Sequence, residues 1–256
     1  GHYSIINAQG KVIKNQYWDF RFSGNLKISK NDAISEIDRL FKKAVKRQLV
    51  SDVPVNSYLS GGIDSGAITI IASKILPLMK TFTIGFDLSS ANGIELSFDE
   101  REKAEHVSYL AQTEHYEMVL KAGDIKKCMT DYVWHLEEPR VGQSYPNYYA
   151  SKLASQKVKV ILAGSGGDEL FGGYPWRYYS AFKNVTESNY IDDYYSYWQR
   201  LLTEDKIKEI FNPIWNQVSH VDTKEIFKSA LNIDNRNIKN KSLNTIDLIN
   251  NSLYLE

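Results

Sequence analysis

The sequence has 256 residues, with 31 Lys plus Arg against 31 Asp plus Glu, so its formal net charge is zero; 43% of residues are hydrophobic and 24% charged. That composition builds a folded chain with a full core, either one large domain or a domain with appendages, and the charge balance argues against a tRNA or DNA substrate, which calls for a basic face. The single cysteine, Cys128, excludes an intrachain disulfide, no Cys/His cluster suggests zinc, and neither a bilayer-length apolar run nor a signal-peptide layout occurs, so a cytoplasmic location is expected.

In chain order, Tyr3 to Asn7 and Val12 to Asp19 read as two short strands about a turn at Asn7-Ala8-Gln9-Gly10. A chain seldom begins inside a hairpin, so the sequence is expected to be a piece of a longer protein. Residues 20–30 read as a linker. From Asp32 to Leu49, apolar Ile34, Ile37, Leu40, Phe41, Val45 and Leu49 recur at helical spacing, with Lys42, Lys43, Lys46 and Arg47 on a solvated face. Val53 to Leu59 predicts a strand and Ala67 to Leu76 a helix. Lys80 to Phe86 predicts the next strand. After a polar loop, Ser97-Phe98-Asp99-Glu100 fits a capping box that opens a helix running to Ala111. Glu114 to Leu120 predicts a third strand, Ile125 to Leu136 and Pro146 to Gln156 two helices, and Val158 to Leu162 a fourth strand. Beyond Tyr190 only helical segments are expected: Tyr190 to Leu202, Ile207 to Phe211, Thr223 to Leu231 and Leu243 to Leu253. Strands alternating with helices predict an α/β fold with a doubly wound parallel sheet and a helical C-terminal portion. Such sheets bind ligands beyond the carboxyl ends of their strands, where the strand order reverses.

Two glycine-rich segments fall at such ends. Ser60-Gly61-Gly62-Ile63-Asp64-Ser65 lies between a strand and a helix. Its glycines let backbone pass close to a bulky anion, the N–H groups of the turn and the new helix point at that anion, and the helix dipole favours negative charge. Ser60 and Ser65 add hydroxyl donors. Asp64 would repel a bare phosphate but suits one carried with Mg²⁺. No lysine follows the glycines, so this is not a Walker A loop, and the Gly-x-Gly-x-x-Gly dinucleotide pattern is absent. Gly164-Ser165-Gly166-Gly167-Asp168-Glu169 follows the fourth strand. Alone it reads equally as a turn with an acidic first helical turn or as half of a metal site. Beside the first segment, the second reading is preferred: Asp168 faces Asp64 across a crevice and the pair holds Mg²⁺ against a triphosphate.

The SGGxDS form resembles the pyrophosphate loop of ATP pyrophosphatases, which cleave ATP between the α and β phosphates. It is joined, in order, by Phe82-Thr83-Ile84-Gly85-Phe86, by Asp99-Glu100 with Ala104, by Leu136-Glu137-Glu138-Pro139 with Gln143-Ser144-Tyr145-Pro146, and by the run from Gly164 to Tyr174. Over residues 30–180 the set resembles the synthetase domain of glutamine-hydrolysing asparagine synthetases. The resemblance implies an adenine-nucleotide α-hydrolase-like domain of the ATP pyrophosphatase type over residues 30–185. Residues 1–29 would be the tail of an N-terminal glutaminase domain and a linker. Residues 186–256 would be a helical extension that stops before the family's later motif, whose Lys and Arg stabilise pyrophosphate and the intermediate. By the same resemblance Ser60, Gly61, Gly62, Asp64 and Ser65 bind the pyrophosphate portion of ATP, Asp64 and Asp168 ligate Mg²⁺, Leu59 and Ile84 line the adenine site, and Gly164 lies near the ribose or adenine. The implied reaction activates a carboxylate, aspartate first, as an acyl-adenylate with release of pyrophosphate. Ammonia from the glutaminase domain then displaces AMP. No nucleic acid or membrane partner is implied, and a homodimer is compatible with it.

Ser165 stands where many members carry an acid near the reacting centre, which opens the choice of acceptor and the identity of the base. Relatives that close β-lactam rings or cyclise peptides share both segments and differ near this position. A hydrolase reading, with Ser165 as a nucleophile-elbow serine and His220 as base, matches a loose pattern and leaves SGGIDS unexplained. A nucleotide-binding module without catalysis is the third class. His106, His115 and His135 read as surface or satisfied core histidines, and Tyr145, Tyr148, Tyr149, Tyr174, Trp176, Tyr178 and Tyr179 as packing. Arg140 and Arg177 flank the motifs as candidates to hold an anionic substrate.

Overall fold

The structure is a computed structural model. It describes residues 1–18, 27–90, 99–137, 144–174, 187–199 and 202–230. The chain forms two compact units, one of Ile28–Gly167 and one of Gly1–Lys27 with Asp168–Glu256.

In the second of these, β1 (His2–Ile6) and β2 (Val12–Gln16) pair antiparallel with Ile5 opposite Ile13. The Asn7 side-chain oxygen accepts from the N–H groups of Gln9 and Lys11 at 3.0 and 2.9 Å, which closes the turn as an Asx motif. The Ile28–Gly167 unit starts with α1 (Lys30–Gln48), where Ser29 caps the helix by accepting from the N–H of Asp32 at 3.2 Å. Then follow β3 (Val55–Tyr58), α2 (Ile63–Ser73), β4 (Lys80–Phe86), α3 (Arg101–Ala111), β5 (Glu114–Leu120), α4 (Asp124–Leu136), α5 (Tyr145–Ser155) and β6 (Val160–Leu162).

All four strands of this unit are parallel, in the order β5-β4-β3-β6. The chain winds from β3 outward through β4 to β5, then returns to the opposite side of β3 as β6. The order therefore reverses between β3 and β6, the two strands that carry the glycine-rich segments. Strand residues alternate faces, and each face has its own helices. Ile84, Phe86, Met118 and Leu120 pack with Cys128 and Tyr132 of α4 and with Tyr145, Tyr148 and Tyr149 of α5. Leu162 and Met79 pack with Phe41, Val45 and Leu49 of α1 and with Ile68, Ile71 and Ala72 of α2. The sheet is doubly wound, as the alternation of elements predicts. The tyrosines of α5 serve as packing, and the α1 cations stand on an exposed face.

Several boundaries depart from the sequence expectation, three of them for reasons visible in the sheet unit. β3 begins at Val55 because Pro54 before it has no N–H to give a ladder. β6 begins at Val160: the N–H of Val158 is spent on the Ala154 carbonyl at 2.9 Å, closing the end of α5. Ser97 lies outside the described residues, and the helix start expected from its capping box is corrected. Glu100 takes the cap position itself, at φ −110° and ψ 15°, with no side-chain cap bond, and α3 opens at Arg101. The reason is partly local and partly long-range. The Arg101 guanidinium grips both oxygens of Asp99 at 2.8 and 2.9 Å and donates to the Phe86 carbonyl at 3.1 Å, which fixes where the helix starts.

From α6 (Gly167–Phe171) onward the described residues contain no strand and form α7 (Glu187–Trp198), α8 (Glu204–Ile210), a 3-10 turn (Asn212–Ile214), α9 (Trp215–Val218) and α10 (Thr223–Ala230). Helices α7 and α10 meet where buried Tyr194 sets its ring edge-on to Phe227 at 5.7 Å and the Tyr195 hydroxyl bonds Thr223 Oγ1 at 2.6 Å. The helix expected at Leu243 to Leu253, together with Arg140, Trp176, Arg177, Tyr178 and Tyr179, lies outside the described residues. Among the described residues no helix is long and apolar enough to cross a membrane.

Candidate functional site

The loop after β3 is cross-linked by its own serines. The Leu59 N–H donates to the Phe82 carbonyl at 2.9 Å and the Leu59 carbonyl accepts from Thr83 Oγ1 at 2.5 Å, so the strand end is clamped to β4. One residue on, the Ser60 N–H donates to Ser65 Oγ at 3.0 Å, and the two hydroxyls bond each other at 2.9 Å. The Gly62 N–H donates to Ser60 Oγ at 3.1 Å. Gly62 is extended, at φ −79° and ψ 154°, and caps α2 with no side-chain bond. Helix α2 therefore opens at Ile63, earlier than the expected Ala67, and brings Asp64 and Ser65 into its first turn. The positive end of its dipole lies at the carboxyl edge of the sheet. Deeper in α2, buried Thr69 donates to buried Ser57 of β3 at 3.0 Å, which sets the register of helix on strand.

The loop after β6 is held instead by the absence of side chains. A Cβ at Gly164 would stand 2.8 Å from the Ser65 nitrogen and 3.2 Å from Asp64 Cβ, and one at Gly167 would overlap the Asp64 carboxylate itself. Between them Gly166 turns at φ +100°, a left-handed conformation that suits glycine. The backbone of this loop thus lies directly on the first turn of α2, with the Asp64 carboxylate against Gly167. Asp168 is the next residue. It begins the second unit and falls in the first turn of α6, where its carboxylate occupies the space a Gly173 side chain would need. Glu169 accepts from the Tyr174 hydroxyl at 3.1 Å. Ser165 is exposed on the turn, and no histidine of its own unit bonds its hydroxyl. Among the described residues no group of three or more His, Cys, Asp or Glu gathers as a metal cluster. Mg²⁺ does not need one, because it is commonly held by one or two carboxylates and the substrate's phosphates, and the Asp64 carboxylate at the first turn of α2 is of that chemistry.

Leu59 is only 2% exposed, and Ile84 is half-buried against the Phe86, Leu120 and Tyr145 cluster. Leu59 thus packs directly after β3, and Ile84 sits on the face of β4 that meets α4 and α5. His106 and His135 are exposed, and the His115 ring bonds Thr81 at 2.8 Å and Glu117 at 3.1 Å.

The start of α3 also reaches this site, which motif reading does not reveal. Gly85 leaves room for the Arg101 side chain, which would overlap any Cβ there. The hydrogen bonds from Arg101 hold the Asp99 carboxyl below its ordinary value against a smaller opposing effect of burial. Residues Glu100 and Lys103 lie over Gly61, whose Cβ would stand 3.1 Å from Glu100 Cβ and 2.7 Å from Lys103 Cβ. The only local signal for this was that Asp99-Glu100 precede a helix. Nothing in the sequence says which glycine that helix covers.

Comparison with known proteins identifies the family. The profile of the family described as asparagine synthase matches residues 36–254. Asparagine synthetase (glutamine-hydrolyzing) 1 of Bacillus subtilis is 30% identical over 175 residues, covering 68% of this chain and 26% of that protein. A protein of Methanocaldococcus jannaschii, provisionally named asparagine synthetase (glutamine-hydrolyzing) 2, is 34% identical over 167 residues, covering 64% of this chain and 31% of that one. The chain thus spans under a third of the length of these curated relatives. A solved NMN synthetase from Francisella tularensis aligns over 88% of this chain and 94% of its own at 16% identity, with a TM-score of 0.35, too low to bear on the site. With the family profile covering most of the sequence and both glycine-rich segments, the chain belongs to the asparagine synthase family.

Proposed function

We propose that the crevice at the β3/β6 reversal binds ATP and activates a carboxylate, aspartate first, for amidation, as the synthetase part of an amidotransferase. The observation that carries this reading is the seating of Asp64 against the Gly167 backbone. It puts one carboxylate and the positive end of α2 beside a side-chain-free loop, a cradle for a phosphate chain that arrives with a cation. Family membership supports ATP as the nucleotide.

In this reading Ser60, Gly61, Gly62 and Ser65 receive the pyrophosphate portion, with the Ser60–Ser65 bonds holding the loop open in advance. Ile84 borders the adenine, Leu59 supports it from below, and Gly164 lies by the ribose. Asp64 and Asp168 would hold Mg²⁺, which when bound would neutralise charge on the phosphates. An oxygen of the substrate carboxylate attacks the α-phosphorus, the bond to the bridging oxygen breaks, and pyrophosphate leaves with the electron pair. Ammonia then attacks the acyl carbon, loses a proton, and AMP departs. Ser165, exposed on the β6 loop, hydrogen-bonds the acyl group rather than serving as a base, since a serine hydroxyl does not ionise near neutrality without a partner. Ammonia is drawn from a glutaminase domain of the full protein.

Product analysis tests this. The full-length protein, given ATP, Mg²⁺, ammonia and aspartate, is expected to form AMP and pyrophosphate in equal amounts. ADP and phosphate as the products would contradict the assignment, and turnover only with a different acid would replace aspartate as the acceptor.

A further inference from the structure

We propose that Lys103, on the first turn of α3, supplies the cation that binds the terminal phosphates of the nucleotide over the SGGIDS loop. The proposal rests on the nucleotide reading given above. A phosphate loop that carries an acid and lacks the Walker lysine still has to neutralise the β and γ phosphates. The loop's own residues, Ser60 to Ser65, contain no cation.

The geometry places one beside it. A Cβ on Gly61 would stand 2.7 Å from Lys103 Cβ and 2.8 Å from its Cδ, so the lysine stem lies flat on the Gly61 backbone and the ammonium is two bonds further on. Four residues along, Val107 faces Gly66 of α2, with methyl carbons 3.7 and 3.8 Å from where a Cβ would be. Lys103 and Val107 share one face of α3. That face therefore runs along the loop and the first turn of α2, with the lysine at the loop end.

The placement is mildly unfavourable for the helix itself. Lys103 is the third residue of α3, where the macrodipole disfavours a cation. Arg101, at the same end, is neutralised by two hydrogen bonds to Asp99. Lys103 is exposed, and among the described residues no carboxylate pairs with its ammonium. An unpaired cation in a helix first turn, its stem fitted to the backbone of Gly61 within the phosphate loop, matches an anionic ligand of that loop. The chemical class is a pyrophosphate chain, free or as part of a nucleoside triphosphate.

The test is calorimetric titration of the full-length protein with magnesium pyrophosphate, ATP and AMP, before any acid substrate need be known. Lys103→Met keeps the stem on Gly61 and removes the charge. It is expected to weaken pyrophosphate and ATP binding about 10-fold, the scale of one charged hydrogen bond, and to leave AMP affinity and the melting temperature unchanged. Lys103→Arg is expected to restore most of the affinity. Should Lys103→Met fold poorly, Lys103→Gln carries the same expectation. Wild-type pyrophosphate affinity in the charge-neutral variants would overturn the role of Lys103 and leave the nucleotide reading standing. Equal weakening of AMP and pyrophosphate would assign Lys103 to structure alone. A wild-type protein that binds neither pyrophosphate nor ATP would overturn both.

Discussion

The two loops at the strand-order reversal reach their shapes by opposite means. The loop after β3 is built from hydrogen bonds, with Ser60 and Ser65 bonded to each other at 2.9 Å and the Ser60 N–H to Ser65 Oγ at 3.0 Å. The loop after β6 is built from what is missing: Gly164 and Gly167 leave the space that Ser65 and Asp64 fill. One loop is held by attraction and the other by steric permission. Damage to the first therefore costs stability and shape together. Damage to the second displaces the proposed cation-binding carboxylate while leaving the sheet beneath it nearly intact.

The largest expected effect follows from the second loop. Gly167→Val drives a side chain into the Asp64 carboxylate and is expected to lower acid-dependent ATP cleavage by at least about 100-fold, with a stability loss of only ~1–3 kcal/mol in urea titration. Loss of activity in proportion to lost folding would erase the distinction between the loops. Ser65→Ala should do the reverse. Removing the buried acceptor of the Ser60 N–H is expected to cost ~1–3 kcal/mol, read from the urea midpoint, with a smaller loss of turnover.

A third prediction concerns the clamp that positions α3. Asp99 has its carboxyl pKa lowered by Arg101, so its contribution to stability is whole above about pH 4 and is lost as pH falls through the lowered value. The stability gap between wild type and Arg101→Met is expected to narrow on acidification through that range. A gap independent of pH would remove the ion pair as its cause. The smallest effect is expected far from the site: Ser29→Ala removes the α1 cap, costing about 1 kcal/mol in thermal or urea unfolding with turnover unchanged.

Much of this arrangement could be read from the residues because it is local. β4 and β5 fall on the expected residues, since Lys80–Phe86 and Glu114–Leu120 are bounded by a polar loop and by turns. The position of both glycine-rich segments at strand ends was legible for the same reason. Boundaries failed where a distant partner decides them. Helix α3 starts at Arg101, whose guanidinium is fixed by Asp99 two residues back and by the carbonyl of distant Phe86, and the tempting Ser97 to Glu100 spacing contains no trace of the Phe86 contact. Gly61, Gly85 and Gly167 read as loop or strand glycines. Only the structure shows that Lys103, Arg101 and Asp64 respectively occupy the space above them. The fit of one element over another's backbone depends on long-range packing, which hydrophobic period and turn chemistry do not encode.

The central claim is that the β3/β6 crevice cleaves ATP at the α-phosphate with Asp64 at its centre. Exchange of labelled pyrophosphate into ATP, dependent on an added carboxylic acid, measures it most directly. The full-length protein is predicted to show acid-dependent exchange, and Asp64→Asn to lose it by about 100-fold or more, as for removal of a group that organises a reacting centre. Undiminished exchange in Asp64→Asn, or none in the wild type with any acid, would contradict the claim.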